Sequence, residues 1–324
     1  MRCIAFAVLL QVVTKVLLLG ISLEKLFVII VTYNGMKWIK KCIKSVLEST
    51  IVPTILLIDN NSADGTVNFV RKTFTDVVVI PNSKNLGFGQ ANNIGLEYAL
   101  HHGCEYVYLL NQDAYVEPDT FETLIRIQKK YPEYGVLSPI QITASRVKLD
   151  KNFAKFCGSS SCPGLLSDLL LTGCAKDIYA IDFIMAAHWL MTRDCIEKVG
   201  GFNPMFNQYG EDDNMLNRCH YFNIRVGISP RTFAIHDRAD RAESVKNLFH
   251  MNHVEYYKVS SNINYSNFTM LRKLLRNHMT SLRLAVQYKS FVPILNSWEF
   301  LFNIWKVKKC NRISKKSDHP FLSL

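Results

Sequence analysis

Several groups of residues in this 324-residue chain have the types and spacing to do chemistry. The run Glu211-Asp212-Asp213 places three carboxylates side by side. Neighbouring carboxylates hold one another's pKa above the ordinary value, which suits a general base working near neutrality. Asn111-Gln112-Asp113 closes an apolar run and offers one carboxylate to a cation. Three further apolar runs end alike, in Thr32-Tyr33-Asn34, Asp59-Asn60-Asn61-Ser62 and the stretch 82–89. A plainer reading exists for each group. Asn, Asp and Ser cap helices and build turns, and an acidic run complements a helix N-terminus. Four polar run-ends in succession weigh against the plain reading for the set.

The elements that would hold these groups alternate regularly. Residues 26–31 (LFVIIV) form a continuous β-branched run, as expected for a strand buried on both faces of a parallel sheet. Residues 38–47 follow with apolar positions at helical spacing. Strands are expected at 54–58, 77–80 and 106–110, and helices at 62–71, with Ser62 as N-cap, and at 91–99. Pro118-Asp119 is expected to open the next helix, with proline in the first turn. This alternation implies right-handed crossovers and a doubly wound α/β sheet. In such a sheet ligands bind beyond the carboxyl ends of the strands, where all four polar segments fall. After residue 137 the pattern breaks. A Gly/Ser/Cys stretch at 157–164 reads as a mobile loop, the loop 157–174 is a candidate lid, and the chain recovers at 181–185.

Two common nucleotide sites are excluded. The dinucleotide glycine fingerprint should follow the first strand, where Tyr33-Asn34-Gly35-Met36 stands instead. No G-x-x-x-x-G-K-[ST] occurs.

The ordered set Val31-Thr32-Tyr33-Asn34, Ile58-Asp59-Asn60-Asn61-Ser62-x-Asp64-Gly65-Thr66, Asn85-Leu86-Gly87-Phe88-x-x-Ala91-x-Asn93, Leu110-Asn111-Gln112-Asp113, Gly200-Gly201-Phe202 and Glu211-Asp212-Asp213 resembles family 2 glycosyltransferases of the GT-A fold. The nearest likeness is to bacterial rhamnosyltransferase-like and surface-polysaccharide members, over about residues 26–240. The resemblance implies a GT-A (Rossmann-like), doubly wound, mostly parallel sheet with a C-terminal helical extension. It also implies an inverting enzyme that moves a sugar from a UDP- or dTDP-linked donor to a glycan or lipid-linked acceptor. Thr32, Tyr33, Asn34, Asp59 and Asn61 would hold base and ribose, and Asn85, Gly87, Asn111 and Gln112 would lie along the sugar nucleotide. Asn111-Gln112-Asp113 occupies the D-x-D position with only its final Asp, so Asp113, joined by His236, would hold Mg²⁺ or Mn²⁺. Asp212 would be the base, with Glu211 and Asp213 as alternative candidates for that role, and Asn214 stands where many relatives carry another acid. In Ala187-His188-Trp189-Leu190-Met191, Trp189 would stack on the acceptor sugar. The chemistry agrees: a leaving diphosphate needs its charge neutralised, and the acceptor hydroxyl needs a base as the anomeric carbon gains oxocarbenium character.

Charge bears on location. The formal net charge is +11. From Ser244 onward thirteen basic residues face three acidic ones, so nearly all the surplus lies in the last quarter. The expected organisation is an apolar extension over 1–24, a catalytic domain over 25–243 and a basic amphipathic helical region over 244–324. That last region suits an anionic membrane surface as well as helices packed on the domain. Residues 1–24 lack the uninterrupted apolar length of a spanning helix and an A-x-A-like cleavage site, and are expected to be a peripheral or dispensable helix. Nine cysteines without a C-x-x-C pair read as free thiols of a reducing compartment. Together these place the protein in the cytoplasm, on the inner face of the cell membrane. Nucleic acid is not an expected partner, because no zinc-finger spacing or RNP-like motif is present. The competing functions are a nucleotidyltransferase-like enzyme, whose Gly-rich basic loop after the first strand is missing, and a non-catalytic membrane-associated binding protein.

Overall fold

The structure is a computed structural model that describes residues 25–238, 244–316 and 318–324. The expected helix over 1–24 lies outside the described residues. Strand β1 (Leu26–Thr32) sits between β2 (Thr54–Asp59) and β4 (Tyr106–Asn111), parallel to both, and β3 (Val78–Pro81) extends the parallel array beyond β2. The β-branched run of β1 alternates between two cores. Phe27 and Ile29 face one, and Leu26, Val28 and Ile30 face the other. Each such side chain contributes about 1.5–3 kcal/mol on full burial.

Helices α1 (Ile39–Leu47), α2 (Thr66–Thr73), α3 (Gly87–His101) and α4 (Thr120–Lys130) supply the covering layers. Ile39, Cys42, Ile43 and Val46 of α1 seal one face, while Ala91, Leu96 and Ala99 of α3 seal the other. Helix α3 lies tight on β1, since a Cβ at Gly95 would fall 2.6 Å from Ile29 Cγ2.

The remaining strands are β5 (Ala114–Val116), β6 (Tyr134–Ile142), β7 (Tyr179–Ala180), β8 (His188–Thr192) and β9 (Arg225–His236). The sheet order is β3-β2-β1-β4-β8-β6-β9-β5, with β7 also paired to β9. Strand β8 enters antiparallel to both β4 and β6, and β6 pairs β9 in parallel. The architecture is therefore α/β with a central sheet that is parallel through the half formed by β3, β2, β1 and β4.

Several local expectations change. The second helix begins at Thr66 behind Gly65, and Ser62 is not its cap. Ser62 instead bonds Asp59 through its amide (3.0 Å) and hydroxyl (2.5 Å). Asp64 takes over the capping role by accepting the Thr66 amide (3.1 Å) and hydroxyl (2.5 Å). Helix α4 starts at Thr120, so Pro118 precedes its N-cap Asp119. Residues 181–185 are irregular, and the strands lie on either side of them. The 157–174 stretch is anchored by buried Cys157, Cys162 and Leu165, so it is not a free loop.

Helices α5 (Arg193–Val199) and α6 (Glu211–Tyr221) lead to three long C-terminal helices, α7 (Val245–Ser261), α8 (Asn267–Gln287) and α9 (Val292–Ser314). Beyond α9 the chain returns to the body: the Gly201 amide donates to Pro320 O (2.9 Å), and Ser323 N donates to Glu97 Oε1 (2.7 Å). Every cysteine among the described residues is a free thiol.

Candidate active site

The loops after β1 and β2 are laced together by backbone amides. Asn34 N donates to Ser62 Oγ (2.9 Å), Gly35 N to Thr66 Oγ1 (3.0 Å) and Met36 N to Asp64 Oδ2 (2.9 Å). In return Ala63 N donates to Asn34 Oδ1 (2.9 Å). Four amide–acceptor bonds across two loops fix the floor of the site, each worth about 1 kcal/mol net. Asn34 and Asn61 both adopt positive φ (50° and 66°), the left-handed conformation that asparagine tolerates best among non-glycine residues.

Buried Asn60 joins the third loop to these two. Its Nδ2 donates to Gly87 O (3.0 Å), and its Oδ1 accepts from Asn82 Nδ2 (3.0 Å) and Leu86 N (3.3 Å). Gln112 closes the floor. Its Oε1 accepts from Thr32 Oγ1 (2.7 Å) and Tyr33 N (3.0 Å), and its Nε2 donates to Tyr33 O (3.3 Å).

Above this floor opens a cleft of about 830 Å³, at the upper end of the range for small-molecule sites. Of the expected nucleotide-sugar residues, Tyr33, Asn85, Gly87, Asn111 and Gln112 line it, and so does Asp113. Thr32 and Asp59 do not, because both side chains are buried and spent on Gln112 and Ser62. Asn34 and Asn61 are exposed but lie outside the lining. Asn60, Lys84, Asn207 and Gln208 line the cleft without having been singled out in the sequence. Lys84 and Asn60 fall within polar strand-end segments, which was the available signal.

Asp113 stands at the end of β4 with His236 beside it, Oδ1 to Nε2 3.5 Å. Burial alone would raise the Asp113 carboxyl. The hydrogen bond and charge of His236, with the charge of Arg238, hold it below the ordinary carboxylate range. Behind the pair, buried His188 bonds Tyr108 OH at Nδ1 (3.0 Å) and Ile235 O at Nε2 (3.2 Å). Burial, then the neighbouring His236, pushes its pKa down to about 3, so His188 stays neutral and scaffolds the wall. Arg238 makes a two-point bond to Asp150 through Nε (2.8 Å) and Nη2 (2.7 Å).

The acidic run forms the first turn of α6 behind Gly210, so the helix-start reading holds alongside any chemical one. It does not line the cleft, but Gln208 of the lining precedes it by three residues. Glu211 packs under the first turn of α3: a Cβ at Gly89 would lie 3.4 Å from Glu211 Cβ. Burial, then the charge of Asp213, pushes the Glu211 carboxyl up to about 7. Half-buried Asp212 is raised well above the carboxylate range by desolvation, then by Asp213 and Glu211. Asp213 is paired with Lys258 of α7 at 2.8 Å.

Trp189 must be corrected. Its ring is fully buried, stacked 6.2 Å from Phe202, and exposes no face to an acceptor sugar. The apolar run around it is the core of β8.

Parallel strands ending in a polar cleft, with a carboxylate at the end of the central strand and an acidic helix start beside it, are the arrangement of a GT-A glycosyltransferase. Residues 27–155 match the glycosyl transferase family 2 profile. The chain is a nucleotide-sugar glycosyltransferase. It is 23% identical over 217 residues to the low-salt glycan biosynthesis hexosyltransferase Agl10 of Haloferax volcanii, covering 67% of this chain and 68% of that one. It is 29% identical over 122 residues to the N-acetylglucosaminyl-diphospho-decaprenol L-rhamnosyltransferase of Mycobacterium tuberculosis, covering 35% of this chain and 40% of that one. Among solved structures, TarS residues 1–349 of S. aureus superpose with a TM-score of 0.58 at 15% identity, covering 90% of this chain and 87% of that one. The mannosyltransferase PcManGT of Pyrobaculum calidifontis, solved with GDP-Man and Mn²⁺, superposes with a TM-score of 0.57 at 16% identity, covering 90% and 84%. At these identities the superpositions speak for the fold alone.

Proposed function

We propose that residues 25–243 catalyse inverting transfer of a hexose or deoxyhexose from a UDP- or dTDP-sugar to a glycan or lipid-linked acceptor in surface polysaccharide synthesis. The observation that supports this reading is Asp113 on the cleft lining, with the raised carboxyls of Glu211 and Asp212 in the first turn of α6, a few residues after Gln208 of that lining. One carboxylate is ionised at neutral pH and suited to a cation. The others are tuned toward proton transfer. Two environments thus push like groups toward unlike tasks.

Tyr33 is half-exposed over the floor and presents a ring to the base. Lys84 lines the cleft, where its ammonium would meet the donor's diphosphate. Asn85, Asn111 and Asn60 offer amide groups along ribose and sugar, and the Gly87 backbone permits close approach. Thr32 and Asp59 act through the residues they hold, Gln112 and Ser62.

A divalent ion, Mg²⁺ or Mn²⁺, fits Asp113 and His236. Among the described residues no cluster of three or more His, Cys, Asp or Glu side chains could hold a metal. The pair itself supplies a carboxylate oxygen and an imidazole nitrogen 3.5 Å apart, half an ångström wider than the roughly 3.0 Å between adjacent octahedral ligands at about 2.1 Å and within reach of one ion after a small side-chain adjustment. Donor phosphates and water would complete the shell. When bound, such an ion neutralises the charge of the leaving diphosphate. Asp212 takes the proton of the acceptor hydroxyl, and Glu211 and Asp213 set its basicity.

The basic C-terminal region favours a site at the cytoplasmic face of the membrane, where a lipid-linked acceptor is presented. Nucleotide release from a panel of sugar nucleotides, with and without Mn²⁺, tests the reading. Asp212→Asn is expected to lower turnover by at least about a hundredfold while donor binding persists. Turnover near wild type in that variant would remove the base assignment.

A further inference from the structure

Helices α8 and α9 carry large apolar residues on their outer faces as well as their inner ones, more than helices that only pad a water-soluble domain need. On α8 the residues turned inward are Leu274, Asn277, Ser281 and Leu284, while Phe268, Leu271, Leu275, Met279, Leu282 and Val286 are turned outward. Those six follow steps of three and four residues, so they form one continuous stripe. Their exposure is high, 76% for Phe268 and 58% for Leu275. On α9, Ser297, Phe300 and Val307 face inward, while Leu295, Trp298, Phe302 and Trp305 form an outward stripe, with Phe302 77% exposed. Stripes of this length exceed the scatter of single apolar residues on an ordinary surface.

The interior of the same bundle is held by polar bonds. Asn252 Nδ2 donates to Asn277 Oδ1 (3.0 Å), Asn277 Nδ2 to Asn252 O (3.1 Å) and Ser281 Oγ to Asn252 Oδ1 (2.7 Å). Tyr256 OH joins Ser281 Oγ at 2.9 Å. These bonds share the interior with an apolar cluster of Tyr256, Phe300 and Val307, while large apolar side chains also cover the outside; interhelical hydrogen bonds of this kind hold helices together in a lipid environment as well.

We propose that the α8–α9 hairpin beds its outward stripes into the interfacial layer of an anionic bilayer leaflet. Among the described residues no helix is long and apolar enough to cross a membrane, so the hairpin would lie in the interface. Charge selects the occupant. The residues from Ser244 onward hold nearly all of the chain's positive surplus, including Arg272, Arg276 and Arg283 on α8 and Lys306, Lys309 and Arg312 on α9. A second copy of the chain would bring the same surplus against itself, whereas anionic headgroups neutralise it. Two tryptophans on the α9 stripe suit the headgroup level.

The inference rests on the reading of a lipid-linked acceptor for its purpose, and it supplies the geometry that reading needs. The bundle is fixed to the acidic helix start: Lys258 grips Asp213 (2.8 Å), Asn262 Nδ2 donates to Asn217 Oδ1 (3.0 Å) and Asn264 Nδ2 to Asn217 O (2.7 Å). A docked hairpin therefore sets the distance of Asp212 from the leaflet.

The test is flotation of the full chain with vesicles of phosphatidylcholine alone and of phosphatidylcholine with phosphatidylglycerol, beside Leu275→Glu/Trp298→Glu/Phe302→Glu. All three side chains are more than half exposed, so the fold should survive, as circular dichroism would verify. The expected result is partitioning of the wild type to the anionic vesicles, weakened by salt, and a loss of at least about tenfold in the variant (about 1.4 kcal/mol). Three results overturn the proposal: no flotation of the wild type, equal flotation of the variant, or a lipid-free dimer that the variant converts to monomer. Nucleotide release from a sugar nucleotide without vesicles tests the enzymatic reading separately, and its failure would leave the flotation result standing.

Discussion

Lys258 Nζ lies 2.8 Å from Asp213 Oδ1, so a cation from the C-terminal bundle is inserted into the acidic start of α6. Burial lowers the Lys258 ammonium, but Asp213, with Glu255 and Asp212, raises it further, and it stays charged. In turn its charge counts among the influences that lower Asp212, against the larger effects of desolvation and two neighbouring carboxylates. Removing it lets Asp212, the proposed base, titrate at higher pH. Lys258→Met should therefore move the acid limb of the pH–rate profile upward and reduce kcat/KM near pH 6 by roughly threefold to tenfold. An unmoved limb would separate the bundle from the chemistry.

Glu211 allows a second pH measurement that reads stability. Its carboxyl is pushed up to about 7 in the fold from an ordinary value near 4.5. Folding therefore favours the protonated form. The stability this group contributes is fully present below the unfolded pKa and is lost as pH rises through about 7. Glu211→Gln, neutral and of equal size, should be more stable than the wild type by roughly 1–3 kcal/mol near pH 8 and nearly equal to it near pH 4.5. Thermal unfolding at both pH values checks this, and a constant difference would contradict it.

Much of this was legible in the sequence because it is local. The run at 26–31 could only be a doubly buried strand, and its neighbours repeat the same alternation of strand and helix. Tyr33, Asn85, Gly87, Asn111, Gln112 and Asp113 sit where strand ends must place them. What was not legible depends on partners distant in the chain. The antiparallel entry of β8 is set by its pairing with β4 and β6, and it buried Trp189, whose aromatic character alone suggested a sugar platform. Ser62 lost its capping role because Asp59 and the Asn34 amide compete for its hydroxyl. The grip of Lys258 on Asp213 needs the return of α7 to α6, which no spacing announces.

Gly87 tests the close approach of two cleft loops. Its φ is +76°, and a Cβ there would fall 2.2 Å from Asn207 O. Both the conformation and the neighbour oppose any side chain, and the neighbour is backbone. Gly87→Ala should cost about 1–3 kcal/mol of stability. The loop bearing Asn207 and Gln208 must withdraw, so KM for the sugar nucleotide should rise more than kcat falls. Calorimetric titration with nucleotide, beside thermal unfolding, measures both effects.

Asp113 is the residue on which the proposed cation site is tested. The hydrogen bond and charge of His236 outweigh its burial and keep its carboxyl below the ordinary range, so it is ionised throughout neutral pH. If it holds the ion that neutralises the diphosphate, its removal matters only when the ion is present. Asp113→Ala should weaken binding of a sugar nucleotide by about tenfold or more in Mn²⁺ and hardly at all in EDTA. His236→Ala should show the same pattern more weakly, because a carboxylate remains. Equal affinities for wild type and variant in Mn²⁺ would instead give Asp113 a structural part, anchoring Asp237 N through its carbonyl oxygen at 2.8 Å.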